Sequence, residues 1–404
     1  MIEKYYSGVI EQIYNRIGKE TRNIVMANYS NDFSIENLEV IRRYQSNEDN
    51  VFFAYSEFSY NTLVGAYEPF LDIICNMHRR FIGGSFDDFQ KECGVYYLHR
   101  QVLNSYYETG ECFREETVLL NEVAYEQRRM TMAIADMLKK LSEVKPLMIV
   151  INRFQMASKS SIETIKYLID NPCANIGIVL GVNAIVKGTD STVEVWDRIV
   201  ESLEDRSAIY YIGSAGPLKN NVKTTNDDEL YITMNFEQSI QEASNIMEFL
   251  DFDQARRGCR IIEHKLKFED AWIDEKSLRR FYMVYARTSV LLGEMSKAIE
   301  LTNEYKALIP ENDSEHYLSL YYFMKGTCYM YQGKLEKAGN SAKSAYDYAV
   351  LAEDDTLIFK AELLSVMIKM SGWYNIFFCV QDIPVSDEII EKLIKHGYRN
   401  HLAH

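Results

Sequence analysis

The sequence predicts an α/β domain with a mainly parallel sheet, followed by an all-α domain of helical repeats. Short apolar runs alternate with helical patterns up to about residue 215, and strand signals stop from Asn235 onward. With 404 residues, the chain is also too long for one ordinary domain. We therefore predict domains at residues 1–222 and 234–404, joined through the polar, aperiodic segment "NNVKTTNDDE".

Five apolar runs are the predicted strands of the first domain. They are "NIVMA" (23–27), "VFFAY" (51–55), "PLMIVI" (146–151), "IGIVLGV" (176–182) and "AIYYIG" (208–213). Mostly unbroken hydrophobicity is typical of parallel strands that are covered on both faces. The segments between them show helical periodicity, which indicates that helices alternate with strands.

Three amides stand at the predicted strand ends where a ligand would bind. In open α/β sheets, ligands bind beyond the carboxyl ends of the strands. The residues at those ends are Asn28, Asn152 and Asn183. All three residues are amides rather than Gly, Asp or Arg.

The segment "PLMIVINRFQMASKSSIETIKYLI" resembles the Walker B region of STAND-type signalling ATPases, a branch of the AAA+ P-loop class. In addition, "AYEPFLDII" (66–74) is similar to the helix that follows the family's second strand, and "YYIGSAGPL" to its last strand. The resemblance covers roughly residues 10–235 and implies a P-loop-type α/β fold. The alternative is an unrelated α/β domain with a chance likeness.

The chain departs from that family at the residues that handle phosphate. After the first strand stands "NYSNDFSIENLEVI", which contains Ser34 but neither Gly nor Lys. A P-loop needs glycines to wrap the phosphates and a Lys to reach their oxygens. At the two acidic Walker B positions stand Asn152 and Arg153, and Arg cannot accept a proton. We expect a degenerate pocket (Asn28, Ser34, Asn152, Arg153, Asn183), no cofactor and no ATP hydrolysis. Arg153 has two open roles, binding an anion or pairing with a buried acid.

The second half shows a helical pattern that returns every 39 to 43 residues. The aligned segments are "FLDFDQARRG" (249–258), "LLGEMSKAIEL" (291–301), "YQGKLEKAGNS" (331–341) and "MSGWYNIFFCV" (370–380). The "GxxxxA" pattern between amphipathic helices resembles the tetratricopeptide repeat, over about residues 234–385. The first segment has Leu250 in place of Gly, and the last has Phe377 in place of Ala. The resemblance implies a solenoid with a concave groove.

A partner-binding surface is predicted on the first helices of these pairs, roughly 276–292 and 315–332. Tyr and Arg are favoured in binding hot spots. The candidate partner-binding residues are Arg279, Arg280, Tyr282, Arg287, Tyr321 and Tyr322. The alternative for any single Tyr is a place in the core between helices.

Composition limits the other classes of function. A formal charge of −15 argues against a nucleic-acid surface. Seven irregularly spaced cysteines indicate reduced thiols, and no apolar run is long enough to cross a membrane. We predict a cytoplasmic protein without a metal site, because the histidines of "HGYRNHLAH" lack an ordered surrounding shell.

Three functions remain open from the sequence. The first is an interaction or regulatory protein whose partner is a related ATPase chain or a peptide in the repeat groove. The second is a nucleotide-binding switch with a non-standard loop. The third is a transcription-regulator component whose DNA-binding domain lies on another chain.

Overall fold

A computed structural model describes residues 2–29, 38–46, 50–59, 63–112, 122–183, 193–213, 235–268, 273–312, 314–376 and 391. The elements up to residue 213 are α1 (Ile2–Arg16), β1 (Ile24–Tyr29), α2 (Glu39–Ser46), β2 (Phe52–Glu57), α3 (Phe70–Met77), α4 (Phe86–Glu92), α5 (Tyr97–Thr109), α6 (Val123–Val144), β3 (Leu147–Asn152), α7 (Lys159–Asp170), β4 (Ile176–Asn183), α8 (Val193–Glu204) and β5 (Ile209–Ile212). Each predicted strand is therefore present.

Within the described residues, the five strands form one parallel sheet in the order β2-β3-β4-β1-β5. Met26 of β1 pairs with Leu180 of β4, and Val150 of β3 pairs with Val179 of β4. The first strand is an interior strand between β4 and β5, and the chain runs from it to β2 at the far edge before it returns. The predicted α/β class is confirmed in this form, whereas its P-loop identity stays a prediction.

Both faces of the sheet are covered. One face packs against α1 and α2, with Ile10, Ile41 and Val150 fully buried in the same cluster. The alternate residues, such as Ile149 and Leu180, have no exposed surface either. This burial explains why the strands read as unbroken apolar runs in the sequence.

The helices of the second half are α9 (Phe236–Glu248), α10 (Phe252–Phe268), α11 (Glu275–Leu291), α12 (Met295–Ala307), α13 (Glu315–Tyr331), α14 (Leu335–Leu351) and α15 (Asp355–Ile376). From α11 to α15 each helix packs on the next, and α13 also packs on α11 and α15. The C-terminal half is therefore a series of helices in contact with their neighbours along the chain, as predicted in outline.

The turns between these helices share one geometry. A residue with positive φ ends the helix at Leu250 (69°), Gly293 (78°), Gly333 (72°) and Glu353 (53°). The N–H of the following residue then donates to a carbonyl five residues earlier, as in Glu294 to Ser289 at 2.8 Å and Lys334 to Tyr329 at 2.9 Å. This is the Schellman arrangement, in which left-handed backbone ends a helix.

Two details of the predicted repeats can be judged from these turns. Leu250 does occupy the position that Gly holds in the next two pairs, as the alignment proposed. The alignment of the fourth segment was wrong, because α15 continues through Gly372 to Ile376 and no turn interrupts the described part of this segment. Phe377 lies outside the described residues. The turn before α15 is instead at Glu353.

The chain forms two compact units, which do not coincide with the predicted domains. Of the residues that the structure describes, those up to 112 and those within 124–264 belong to the first unit, and residues 122–123 and those from 265 onward belong to the second. Helix α9 and most of α10 therefore belong with the sheet, whereas the predicted boundary at 222–234 assigned them to the repeats. That boundary segment lies outside the described residues, so its role as a linker stays a prediction.

A membrane-spanning helix is not found among the residues that the structure describes, since none of their helices is both long and apolar enough.

Candidate functional site

The topology places a candidate site at the carboxyl ends of β1, β3 and β4. After β1 the chain crosses to β2 on one side, and after β4 it crosses to β5 on the other side of β1. Ligands of open α/β sheets bind where the strand order reverses in this way. The neighbouring strand ends Asn28, Asn152 and Asn183 are the residues that the sequence singled out.

Asn152 is held inside the unit by a tyrosine that the sequence reasoning missed. The hydroxyl of Tyr29 donates to Asn152 Oδ1 at 2.6 Å, and both residues are fully buried. Tyr6 packs edge-on against Tyr29, with ring centroids 6.4 Å apart. Burial, followed by the proximity of Tyr29, Tyr55 and Glu57, raises the pKa of Tyr6 well above its ordinary value. Tyr6 is therefore a neutral hydroxyl in this cluster.

Arg153 pairs with an acid on a neighbouring strand. Its Nη1 lies 3.1 Å from Glu57 Oε1, and the two side chains are 22% and 16% exposed. Nη1 also lies 3.3 Å from the carbonyl of Phe58, and the hydroxyl of Tyr55 donates to Glu57. Of the two roles left open for Arg153, the structure shows pairing with a largely buried acid.

The other residues of the predicted degenerate pocket are also buried, or they lie outside the residues that the structure describes. Asn28 is 1% exposed and Asn183 is 5% exposed. The backbone N–H of Asn183 donates to Gln155 Oε1 at 3.3 Å, which joins the ends of β3 and β4. Ser34 lies outside the described residues. Gln155 was part of the quoted Walker B resemblance, so its motif position was a usable signal for this contact.

Thiol chemistry is suppressed at three of the cysteines that the structure describes. Burial is the largest influence on Cys75, Cys93 and Cys328 and raises the pKa of each thiol to about 12. Because the thiolate is the reactive form, these groups are inert near neutral pH. Within the described ranges, no three His, Cys, Asp or Glu side chains are grouped so as to hold a metal ion.

An acidic cavity of about 270 Å³ lies elsewhere in the first unit, between α3, α5 and α9. Its acids are Glu68, Asp72 and Glu242. The hydroxyl of Tyr106 donates to Asp72 at 3.1 Å, and the N–H of Gly65 donates to Glu68 at 2.9 Å. Burial, then the charges of Glu68 and Asp72, raises the pKa of Glu242 to about 7. Sequence reasoning did not find this cluster, since its acids are far apart in the chain.

Two of the predicted partner-binding residues serve internal packing. Arg279 donates from Nη1 to the carbonyl of Leu308 at 2.8 Å and lies over the ring of Tyr317. Tyr321 is 2% exposed. Its burial corresponds to the core alternative that the sequence left open, and its role toward a partner is untested.

The other four predicted partner-binding residues keep exposed surface. Arg280 is exposed, and Tyr282 and Arg287 are partly buried. Tyr322, also partly buried, stacks on Tyr348 with ring centroids 5.6 Å apart. Because Arg280 and Arg287 are seven residues apart on α11, they share a helix face, whereas Tyr282 lies on a different side.

Comparison with known proteins adds no assignment: no family model, no curated protein and no solved structure matches this chain.

Proposed function

We propose that this protein is a non-catalytic interaction and regulatory protein that binds a protein partner through its C-terminal helices. The observation that carries the non-catalytic half of the proposal is the pairing of Arg153 with Glu57 beside the Tyr29–Asn152 hydrogen bond. Through these contacts, side chains at the strand ends bind one another. An α/β unit whose candidate site is filled in this way serves as a scaffold.

The chemistry of the side chains supports the absence of phosphate transfer. An amide is a poor substitute for a carboxylate as a Mg²⁺ ligand, and a guanidinium cannot act as a general base. Residues 28–35 contain no Gly or Lys to hold a triphosphate. The alternative of a nucleotide-binding switch requires a phosphate site made by other groups.

Calorimetric titration of the full chain with ATP and Mg²⁺ tests this half of the proposal. We expect neither saturable binding nor hydrolysis above background. The matched variants are Asn152→Ala and Arg153→Ala, which distinguish turnover by this chain from turnover by a contaminant. Metal-dependent hydrolysis that is lost in either variant would overturn the non-catalytic assignment.

The binding surface that we propose is the face of α11 that carries Arg280 and Arg287. Arg280 is exposed and Arg287 is partly buried, and the planar guanidinium group matches the geometry of a carboxylate. In a chain with a formal charge of −15, two arginines on one helix face favour an acidic peptide as occupant. Such a partner would bind more weakly as salt is added.

Fluorescence anisotropy with a labelled oligoglutamate peptide tests the surface. The double variant Arg280→Ala, Arg287→Ala should weaken binding about tenfold, the loss expected when charge-assisted contacts are removed. The control Lys334→Ala, Lys343→Ala removes the same charge from exposed positions at the start and in the middle of α14. Equal weakening in both double variants would mean that net charge, and not this helix face, attracts the peptide.

A further inference from the structure

Two carboxylates converge where the α9–α10 hairpin meets the segment before α3, at the acidic cavity. Gly65 marks this point, because a Cβ atom placed on it would lie 2.9 Å from Glu242 Oε1 and 3.4 Å from Glu68 Oε2. Glu242 belongs to α9, whereas Glu68 lies just before α3. Asp72, in the first turn of α3, is the third acid that lines the cavity. The hairpin therefore brings like charges together across its contact with the rest of the first unit.

The lining of the cavity supplies no cation to offset these charges, since the described residues that form it include no Lys, Arg or His. Burial raises the pKa of Glu68, but the N–H of Gly65 donates to its Oε2 at 2.9 Å and opposes this shift. For Glu242, burial and then the charges of Glu68 and Asp72 raise the pKa to about 7. Because the ionised form of Glu68 accepts the N–H, the proton of the pair stays on Glu242.

Tyr106 is the other titratable side chain that lines the cavity. Its hydroxyl donates to Asp72 at 3.1 Å. Burial, followed by the charge of Asp72, raises the pKa of this hydroxyl far above neutral, so Tyr106 is uncharged. Among the described residues of this lining, Glu242 is therefore the group whose charge changes near neutral pH.

Other contacts hold the hairpin without any group that titrates near neutral pH. Asn245 Oδ1 accepts the backbone N–H of Cys112 at 2.9 Å. Phe249 packs edge-on against Tyr67 and Tyr106, with ring centroids 6.1 Å and 5.4 Å apart. Ionisation of Glu242 therefore weakens the attachment of the hairpin without removing it.

We propose that the α9–α10 hairpin is a proton-controlled latch, which stays closed while Glu242 keeps its proton and opens more often once Glu242 and Glu68 are both ionised. In the opened form the hairpin separates locally while the sheet stays folded, and the ring of Tyr67 loses its cover. Two half-buried carboxylates repel each other in the closed form, whereas water surrounds each of them in the opened form. Opening therefore releases the proton, and a rising pH favours it.

Hydrogen exchange of the α9 amides in the full chain measures this opening, in the regime where reclosing is faster than exchange. Glu242 titrates near 7 in the closed form and near 4.3, its ordinary value, in the opened form. The stability of the closed form is complete below about pH 4.3 and is lost as the pH rises through about 7. Protection factors of α9, corrected for intrinsic exchange rates, should therefore fall about tenfold between pH 6 and pH 8.

Glu242→Gln should remove this pH dependence, because the amide cannot ionise. The ratio of wild-type to variant exchange rates at one pH cancels the intrinsic chemistry and should be about tenfold larger at pH 8 than at pH 6. Glu68→Gln should make the pH response smaller, since it removes a charge that acts on Glu242. Glu237→Gln is the matched control, because Glu237 is exposed on the same helix, and its ratio should be equal at both pH values.

The amides of β3 and β4 distinguish a local latch from global unfolding. If the hairpin opens by itself, the α9 amides should exchange about tenfold faster than these strand amides, or more. Equal protection of α9 and β3 would overturn the latch. A wild-type protection factor that does not change between pH 6 and pH 8 would overturn its control by Glu242, and this result does not depend on the folding of any variant.

Discussion

Gly181 lies in β4 at a point where no side chain can be accommodated. A Cβ atom there would lie 2.8 Å from Asn152 Oδ1 and would overlap the hydroxyl of Tyr6. We expect Gly181→Ala to lower the free energy of unfolding by about 1–3 kcal/mol, the usual cost of overpacking a core. Urea denaturation followed by circular dichroism measures this change.

Gly339 provides the matched comparison, because it lies within α14 and a Cβ atom there meets nothing within 4 Å. Gly339→Ala should raise the free energy of unfolding by about 0.5–1 kcal/mol, since Ala is the better helix former. If both substitutions destabilise equally, the close approach of Tyr6 and Asn152 is not the cause of the first effect.

Glu242 should make the stability of the first unit depend on pH. Its folded pKa is about 7, mainly through burial, whereas an unfolded Glu titrates near 4.3. The folded state binds the proton more tightly, so stability falls as pH rises between these two values. Glu242→Gln cannot ionise and should raise the free energy of unfolding by about 1–3 kcal/mol at pH 8, and by less at pH 5.5.

The control for this pH effect is Glu237→Gln, because Glu237 is exposed at the start of the same helix. Removing this negative charge should lower the free energy of unfolding by a few tenths of a kcal/mol, because the charge interacts favourably with the helix dipole. The change should be about the same at both pH values. Denaturant midpoints at pH 5.5 and 8 for the wild type and the two variants complete the comparison. A pH-independent effect of Glu242→Gln would contradict the raised pKa.

The sequence was sufficient to identify the strand-end residues, but it did not show which residues they contact. It gave pairing with a buried acid as one of two roles of Arg153, the other being the binding of an anion. It could not select Glu57, since the choice depends on β2 lying next to β3 in the sheet. Tyr29 was missed because a Tyr at a strand end gives no motif signal until Asn152 is placed opposite it.

The helix turns differ in the residue that takes the left-handed conformation. At Gly333 the positive φ is unstrained, whereas at Glu353 (φ 53°) a side chain occupies the same conformation. The left-handed conformation costs a residue with a Cβ atom about 1–2 kcal/mol of conformational free energy. The two turns otherwise make the same bond from the following N–H, at 2.9 Å for Lys334 and 3.2 Å for Asp354.

Glu353→Gly should therefore stabilise the second unit by up to about 1 kcal/mol. Gly333→Ala should destabilise it by about the same amount, because it introduces the strain that the first change removes. Thermal melts of both variants measure the two shifts. A loss of stability in Glu353→Gly would show that its side chain makes contacts worth more than the strain.

The same turns explain what the sequence could predict about the elements. The Gly at 293 and 333 marked two helix ends correctly, since glycine favours positive φ. The turn at Glu353 was missed because no glycine marks it. The repeat predicted around Gly372 was wrong because a glycine inside a helical pattern does not always end the helix.

Within the first compact unit, the α9–α10 hairpin is joined to the sheet layers by buried polar contacts. Asp251 is 4% exposed and accepts from the backbone N–H of Ser160 at 2.9 Å. Gln254 donates to the carbonyl of Val64 at 2.9 Å, and Lys159 pairs with Asp253 at 3.1 Å. Burial raises the pKa of Asp251, which these hydrogen bonds oppose. The sequence assigned this hairpin to the repeats because its pattern is that of a helix pair, and pattern alone does not show what a helix packs against.

These contacts predict where the chain can be shortened. A chain ending at residue 268 keeps the hairpin and should unfold cooperatively. A chain ending at residue 222, the boundary expected from the sequence, would expose apolar surface around Leu63 and Tyr67, which lie against Gly258 and Phe249 of the hairpin. It would also leave the N–H of Ser160 without the carboxylate that accepts from it. Because lost burial and an unsatisfied buried donor each cost a few kcal/mol, we expect the shorter chain to be largely unfolded or aggregated. Calorimetry and hydrogen exchange of the two chains test this, and equal, cooperative melting of both would show that the hairpin is dispensable to the sheet.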